Sequence, residues 1–376
     1  MNKRAHEVFV WPLCTRIIHW IIATSFFLSF ITSFYHHLFK WHLAFGFIFG
    51  IVLLFRLIWG FIGPNYATFK TFKLSLKALK DYFAQKVNNR WRKIHAGHNA
   101  ASSWFTLIVL GLGGLIVMSG LVLQGIQEAS GILSHLNEHY FYFSSSLFMV
   151  HKVLSYLLFT WTIIHVVGVL IEQFYHKTHM VFAMITGYKK AEGDDTKVSI
   201  IRHLFAYGAI VLSLWTLYFV TSFDETFLTQ SRFERHDFKA ENATFYEKCS
   251  KCHKIYPPFM LPHDSWIRLM EGLANHFGEQ ITENNISKNE QMSIKEYLTT
   301  HSAETSTHKI AFKTLDSLHE MRPISMSKVP YWRETHKNIE KSVFKSSLVK
   351  DASNCFACHF NFEYGILDNT HIHIPR

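Results

Sequence analysis

Apolar residues gather into five runs along the first 223 positions, at about 17–32, 41–62, 104–123, 147–171 and 204–223, with polar stretches between them. Each run is close to the ~20 residues a helix needs to cross a bilayer, so the pattern predicts five membrane-spanning helices. The run 147–171 is the most informative, because it carries His151 and His165, 14 residues apart. That separation is close to four helical turns, which puts both imidazoles on nearly the same side, about 21 Å apart along the axis. An ionisable side chain inside a membrane is costly and is normally partnered within the bundle. Two on one face, near opposite surfaces, suggest two stacked haems, each taking one ring from this helix.

After position 223 the pattern changes. Residues 224–243 are mixed and charged and read as a tether, and helical periodicity returns at 264–277, 287–301 and 330–344. Ser287 followed by Glu290 predicts a capping box at the head of the second of these. Strand signals are sparse. Between the second and third apolar runs, Lys70, Lys73, Lys77 and Lys80 recur at helical spacing beside Phe69, Phe72, Leu76, Leu79 and Phe83. This fits an amphipathic helix on a membrane surface and equally a solvated basic loop. The expected domains are a bundle over 1–190, a fifth helix with its tether over 191–242, and a separate domain over 243–376.

Charge orients this arrangement. Of the 376 residues, 1–223 carry 19 Lys+Arg against 8 Asp+Glu, whereas 224–376 carry 19 against 20. The net charge of +10 therefore belongs to the apolar half, which favours membrane topology over a nucleic-acid partner as its cause. The basic residues sit in two loops. One holds Lys70 to Lys80 together with Lys86, Arg90, Arg92 and Lys93, and the other holds Lys177, Lys189, Lys190, Lys197 and Arg202. The alternate connections hold only Lys40 or, over 124–146, no Lys or Arg at all. Basic loops stay in the cytoplasm. The N-terminus is thus expected inside a bacterial inner membrane, and everything after the fifth helix in the periplasm. Lys3 and Arg4 before a short apolar run have the shape of a signal peptide. No small-x-small cleavage site follows, and His19 lies within the run, so an uncleaved first span is expected.

The cysteines add a second kind of chemistry. Cys14 stands alone, while the other four form Cys249-Ser-Lys-Cys252-His253 and Cys355-Phe-Ala-Cys358-His359. Both read CxxCH, the c-type haem attachment pattern, with two thioethers from the cysteines and an axial bond from the histidine. A disulfide or zinc framework is the rival reading of CxxC pairs. The histidine immediately after each motif argues against it. Covalent haem attachment is a periplasmic process, in agreement with the topology.

For the bundle, six-coordinate haem needs two imidazoles at equal depth on different helices. Depth along the predicted spans pairs His19 with His165 near the inner surface and His42 with His151 near the outer one. Small residues follow one turn on from each, at Ala23, Gly46, Ser155 and Gly168, giving clearance for a porphyrin edge or simply close helix packing. His36, His37, His135 and His139 are competing ligands placed in loops. Arg56 is a candidate propionate contact or a side chain reaching the inner surface. His95 and His98 are loop residues with a candidate quinone-contact role.

Several stretches carry a family resemblance. Val10-Trp11-Pro12 with Arg16 and His19-Trp20, His42 with Gly46, and Leu54-Phe55-Arg56-Leu57-Ile58-Trp59-Gly60-Phe61-Ile62-Gly63-Pro64 belong to it, as do Gly97-His98-Asn99, His151 with His165, and Ala183-Met184-Ile185-Thr186-Gly187. Over about 6–190 they resemble the bacterial cytochrome b561 family, which includes the b-type subunits of nickel–iron hydrogenases. The resemblance implies a four-helix bundle with two haem b, ligated from helices one, two and four and exchanging electrons with quinone or quinol. A fifth span departs from that minimal form.

In the C-terminal domain each CxxCH iron needs a sixth ligand. Met260, Met270, Met292, Met321 and Met326 are available, as are His263, His276, His301, His308, His319 and His336. Tyr256-Pro257-Pro258, Leu261-Pro262, Ser265-Trp266, His276-Phe277-Gly278-Glu279, Trp332-Arg333 with His336, and the closing Ile374-Pro375-Arg376 are similar to the dihaem cytochrome c family over about 243–376. That similarity implies two haem c with histidine on both sides of each iron, His276 and His336 occupying the matching positions without showing which serves which haem.

The expected protein is an all-α membrane protein with a four-helix dihaem b bundle, a fifth transmembrane helix and a C-terminal, mainly α, dihaem c-type domain. Its expected function is electron transfer between the membrane quinone pool and a periplasmic cytochrome or reductase, of the quinol:cytochrome c oxidoreductase kind. The alternatives are a haem enzyme acting on superoxide, oxygen or nitric oxide, and the membrane anchor of a larger dehydrogenase. A haem sensor lacks any transmitting segment.

Overall fold

The computed structural model describes residues 6–87, 96–176, 178–367, 369 and 372–375. Lys3, Arg4, Arg90, Arg92, Lys93, His95, Lys177 and Arg376 lie outside the described residues. Up to residue 222 the helices are α1 (Leu13–Thr32), α2 (Phe39–Ile62), α3 (Leu76–Val87), α4 (Ala100–Glu128), α5 (Asn137–Tyr140), α6 (Ser144–Leu170), α7 (Met180–Thr186) and α8 (Ile200–Ser222). Then come α9 (Phe238–Glu241), α10 (Ala243–Cys249), α11 (His263–Glu271), α12 (Lys288–Thr300), α13 (Lys309–Leu318), α14 (Pro330–His336) and α15 (Lys341–Phe344). Contacts divide the chain into two compact units. The first takes 1–34, 41–120 and 147–222, and the second takes 35–40, 121–146 and 223–376.

In the first unit, α1, α2, α4, α6 and α8 are each long and apolar enough to cross a membrane. Phe26, Phe49, Leu53, Ile116 and Leu158 form a core contributed by α1, α2, α4 and α6. The fifth span packs differently. Its buried residues are Ala206, Ala209, Ser213, Thr216 and Val220, a stripe of small side chains at intervals of three and four that lets its backbone approach α1 closely. Ile201, Leu204, Val211, Leu214 and Tyr218 are left exposed, as a lipid-facing surface requires. A short antiparallel sheet, absent from the sequence expectation, joins β1 (His6–Phe9) to β2 (Tyr188–Ala191).

The second unit has a conventional apolar core built around Phe245, Phe259, Trp266, Ile294, Leu298 and Phe362. The capping box forms as expected: Ser287 Oγ accepts from the Glu290 amide, and the Glu290 carboxylate accepts from the Ser287 amide. Two expected helices are shorter. The 264–277 helix stops at Glu271 because Gly272 leaves helical geometry there, and residues 276–279 form a tight turn with Phe277 and Gly278 in the left-handed region. The 330–344 helix is broken into α14 and α15. The 70–83 amphipathic stretch is helical only from Leu76 on, after a single 3-10 turn at Phe69–Thr71.

Candidate functional site

α6 brings its two histidines against two other helices of the first unit. The His165 ring faces His19 of α1 with centroids 6.4 Å apart, and the His151 ring faces His42 of α2, also at 6.4 Å. Two metal–imidazole bonds of about 2 Å each, plus half a ring on either side, span roughly 6 Å. Both pairs therefore fit one six-coordinate iron between them. At the His42–His151 pair the other ring nitrogens are engaged. His42 Nδ1 donates to the Ser29 carbonyl oxygen at 2.9 Å. Ser119 Oγ donates to the Ile116 carbonyl at 3.0 Å and so accepts from His151 Nδ1, also at 3.0 Å. Such bonds fix the tautomer and leave Nε2 available to coordinate. Phe105 stacks on His165 at 4.2 Å and holds that ring's plane.

The rims of these pairs fit a porphyrin too. A Cβ added at Gly168 would meet nothing within 4 Å, and one at Gly46 only Ser29 Oγ at 3.7 Å. Near His19, two guanidinium groups have buried nitrogens without a hydrogen-bond partner, Nε of Arg16 and Nη1 of Arg56. Trp59 Nε1 donates to Thr15 Oγ1 at 3.0 Å, which brings the Arg56 turn of α2 against the Arg16 turn of α1. A buried donor without an acceptor is costly, and a carboxylate is the group that satisfies a guanidinium best. Arg56 also lies over the Phe69 ring at 5.5 Å. Arg16 was quoted from the sequence only within the family motif and given no role, although its place three residues before His19 puts both on one helical face.

In the second unit, the two CxxCH histidines each find a partner. His253 faces His276 with centroids 6.2 Å apart, and His359 faces His336 at 6.1 Å. The tight turn after Gly272 presents His276. His336 ends α14, stacked on Trp332 at 4.4 Å, with Nδ1 donating to the Trp332 carbonyl at 2.8 Å. His253 Nδ1 donates to the Lys254 carbonyl at 2.7 Å. Burial pushes the thiols of Cys249 and Cys355 up to about 12, keeping them neutral. All five cysteines are free thiols.

The remaining candidates are engaged elsewhere. Met260, Met270 and Met326 are buried in the apolar core, and Met292 and Met321 are exposed. His301 bonds the Tyr297 carbonyl, and His308 is sandwiched between Phe233 and Phe259. His36, His37, His135 and His139 sit in short helical turns outside the bundle pairs. His98 packs against Trp11 and Phe72, and burial, then the charges of Arg56 and Lys189, push it down to about 3, so it is neutral.

Residues 10–187 match the model of the prokaryotic cytochrome b561 family, and residues 245–366 match that of the dihaem cytochrome c family. Among solved structures, a diheme cytochrome c from Rhodobacter sphaeroides is similar at 29% identity, over 34% of this chain and 96% of that one, with a TM-score of 0.28. A diheme cytochrome type c from Shewanella baltica is similar at 26% identity, over 36% of this chain and 94% of that one, with a TM-score of 0.29. No curated protein matches the chain. Joined in one chain, the two family segments make this protein a fusion of a cytochrome b561 bundle with a dihaem cytochrome c domain, a membrane-spanning electron-transfer cytochrome of haem b and haem c.

Proposed function

We propose that the protein carries electrons between the membrane quinone pool and a soluble redox partner on the outer side of a bacterial inner membrane, through two b-type and two c-type haems. One observation carries this function. Four histidine pairs, on four helices and three loop segments of two separate units, have centroid separations of 6.1 to 6.4 Å. Bound there, haem supplies one-electron chemistry at the iron. The chain's own residues do the rest. His19 with His165, His42 with His151, His253 with His276, and His359 with His336 would hold the irons and leave no position for a substrate. Cys249, Cys252, Cys355 and Cys358 would hold the c-type groups covalently. Arg16 and Arg56 would neutralise a propionate within the membrane, where an unpaired charge is expensive. The basic loops support an N-terminus in the cytoplasm and a c-type domain in the periplasm.

A pyridine haemochrome spectrum of the purified protein tests this count. Equal amounts of haem b and haem c are expected, with quinol reducing both in membranes. Haem c alone, or a ratio far from one to one, would sink the proposal. A shift of the reduced spectrum by carbon monoxide would instead point to an open iron and an enzyme.

A further inference from the structure

Residues 224–243 read as a tether in the sequence, and the structure ties half of that stretch down. Within the second unit, the α4–α6 connection and the segment 226–232 are zipped together. Gln124 Nε2 donates to the Leu228 carbonyl at 2.6 Å, the Gly131 amide to the Gln230 carbonyl at 2.9 Å, and the Arg232 amide to the Ala129 carbonyl at 2.9 Å. The same connection grips the head of α13. Asn137, fully buried, donates to the Ile126 carbonyl at 2.9 Å and to the Thr307 carbonyl at 3.1 Å. Lys313 Nζ donates to Ser145 Oγ at 2.6 Å.

At the centre is Glu128, the last residue of α4, whose side chain is 4% exposed. Its carboxylate pairs with Lys309 and accepts from Gln127 Nε2 at 2.9 Å and Asn369 Nδ2 at 3.3 Å. Beside it lies a cavity of about 20 Å³ lined by Glu128, Lys309 and His308, room for a single water molecule. A buried ion pair adds little net stability. Its best-attested use is to fix one arrangement against alternatives, because breaking it strands a charge.

We propose that this seam is a positioning clamp with Glu128 as its centre. It fastens the c-type domain to the α4–α6 connection in one arrangement, where a free tether would let the domain leave that connection, and passage of electrons from haem b to haem c depends on that fastening. The clamp rests on the proposed function, since it presumes that b-to-c transfer occurs. Glu128 and Lys309 are positioning residues, acting through the seam.

The test uses the full haem-loaded chain in lipid nanodiscs, comparing wild type with Glu128→Ala, Glu128→Gln and the exchanged pair Glu128→Lys/Lys309→Glu. Three things are read: haem spectra and potentials, hydrogen exchange of 226–232 and 307–313, and the rate of b-to-c transfer after rapid reduction of haem b. In Glu128→Ala, spectra and potentials should hold, exchange should accelerate, and transfer should slow roughly ten- to hundredfold, the size that ångström-scale misplacement produces. The exchanged pair should recover part of the rate. Faster exchange with wild-type transfer would overturn the clamp, as would unchanged exchange. If Glu128→Ala fails to assemble, Lys313→Met and Gln124→Ala, at either end of the seam, answer the same question. Wild type that never passes electrons from b to c would sink the proposed function instead, while the exchange data would still report whether the seam holds.

Discussion

His151 is oriented by Ser119, whose hydroxyl sits 3.0 Å from the imidazole Nδ1 and spends its own proton on the Ile116 carbonyl. His42, across the pair, is oriented by a backbone carbonyl, that of Ser29. The two halves of one site thus depend on side-chain identity to different degrees. Ser119→Ala removes the acceptor for His151 and should weaken retention of that haem b by roughly 10- to 100-fold, the usual cost of losing such a partner. Ser29→Ala keeps the carbonyl and should do much less. Haem retention during dialysis against apomyoglobin measures both.

Ligand loss should be selective. His151→Ala and His165→Ala are each expected to remove one haem b and leave haem c content unchanged, and the double substitution to remove both. The haem b to haem c ratio reads the result directly. Loss of both haem b from either single substitution would break the pairing.

The pairing in the c-type domain predicts potentials. On the proposed ligation, His276→Met would exchange a bis-histidine environment for histidine–methionine ligation, which raises the potential. Redox titration should show one haem c moving upward while the other stays. His336→Met should move the other one. Both variants should keep covalent haem, because Cys249, Cys252, Cys355 and Cys358 are untouched.

Acid should destabilise the second unit through His308. Burial, then the charges of His236 and Arg232, hold it at about 3 against an ordinary 6.5. The unfolded chain takes up this proton near 6.5 and the folded chain only near 3. Between those values the unfolded state binds more protons, so stability falls as pH drops through that window. Denaturation midpoints at pH 7 and pH 4, followed by far-ultraviolet circular dichroism, should differ less in His308→Gln than in wild type.

Much of the bundle was legible because period and chemistry coincide there. The 14-residue interval on α6 and the equal depths of His19 with His165 and His42 with His151 follow from helix geometry alone. His276 and His336 were legible as ligands only through the family resemblance, and which CxxCH histidine each one faces was not legible. His276 lies beyond Gly272, where the expected helix has already ended, and a turn rather than a periodic element presents it. Arg16 was hidden for another reason. A guanidinium at a helix start reads as a surface charge until the buried nitrogen beside His19 is seen. The seam around Glu128 is a contact between segments some 180 residues apart, which no local pattern encodes.

His253 and His276 are 23 residues apart, and so are His336 and His359, with the attachment motif first in one case and last in the other. On the proposed ligation, each c-type haem closes a loop of its own, and the two loops share no residue. Each is a covalent and coordinate staple on a short stretch of chain, so the entropy of ordering is removed locally and twice over. The domain can accordingly be loaded in two separate events. Loss of one haem should leave the other loop closed.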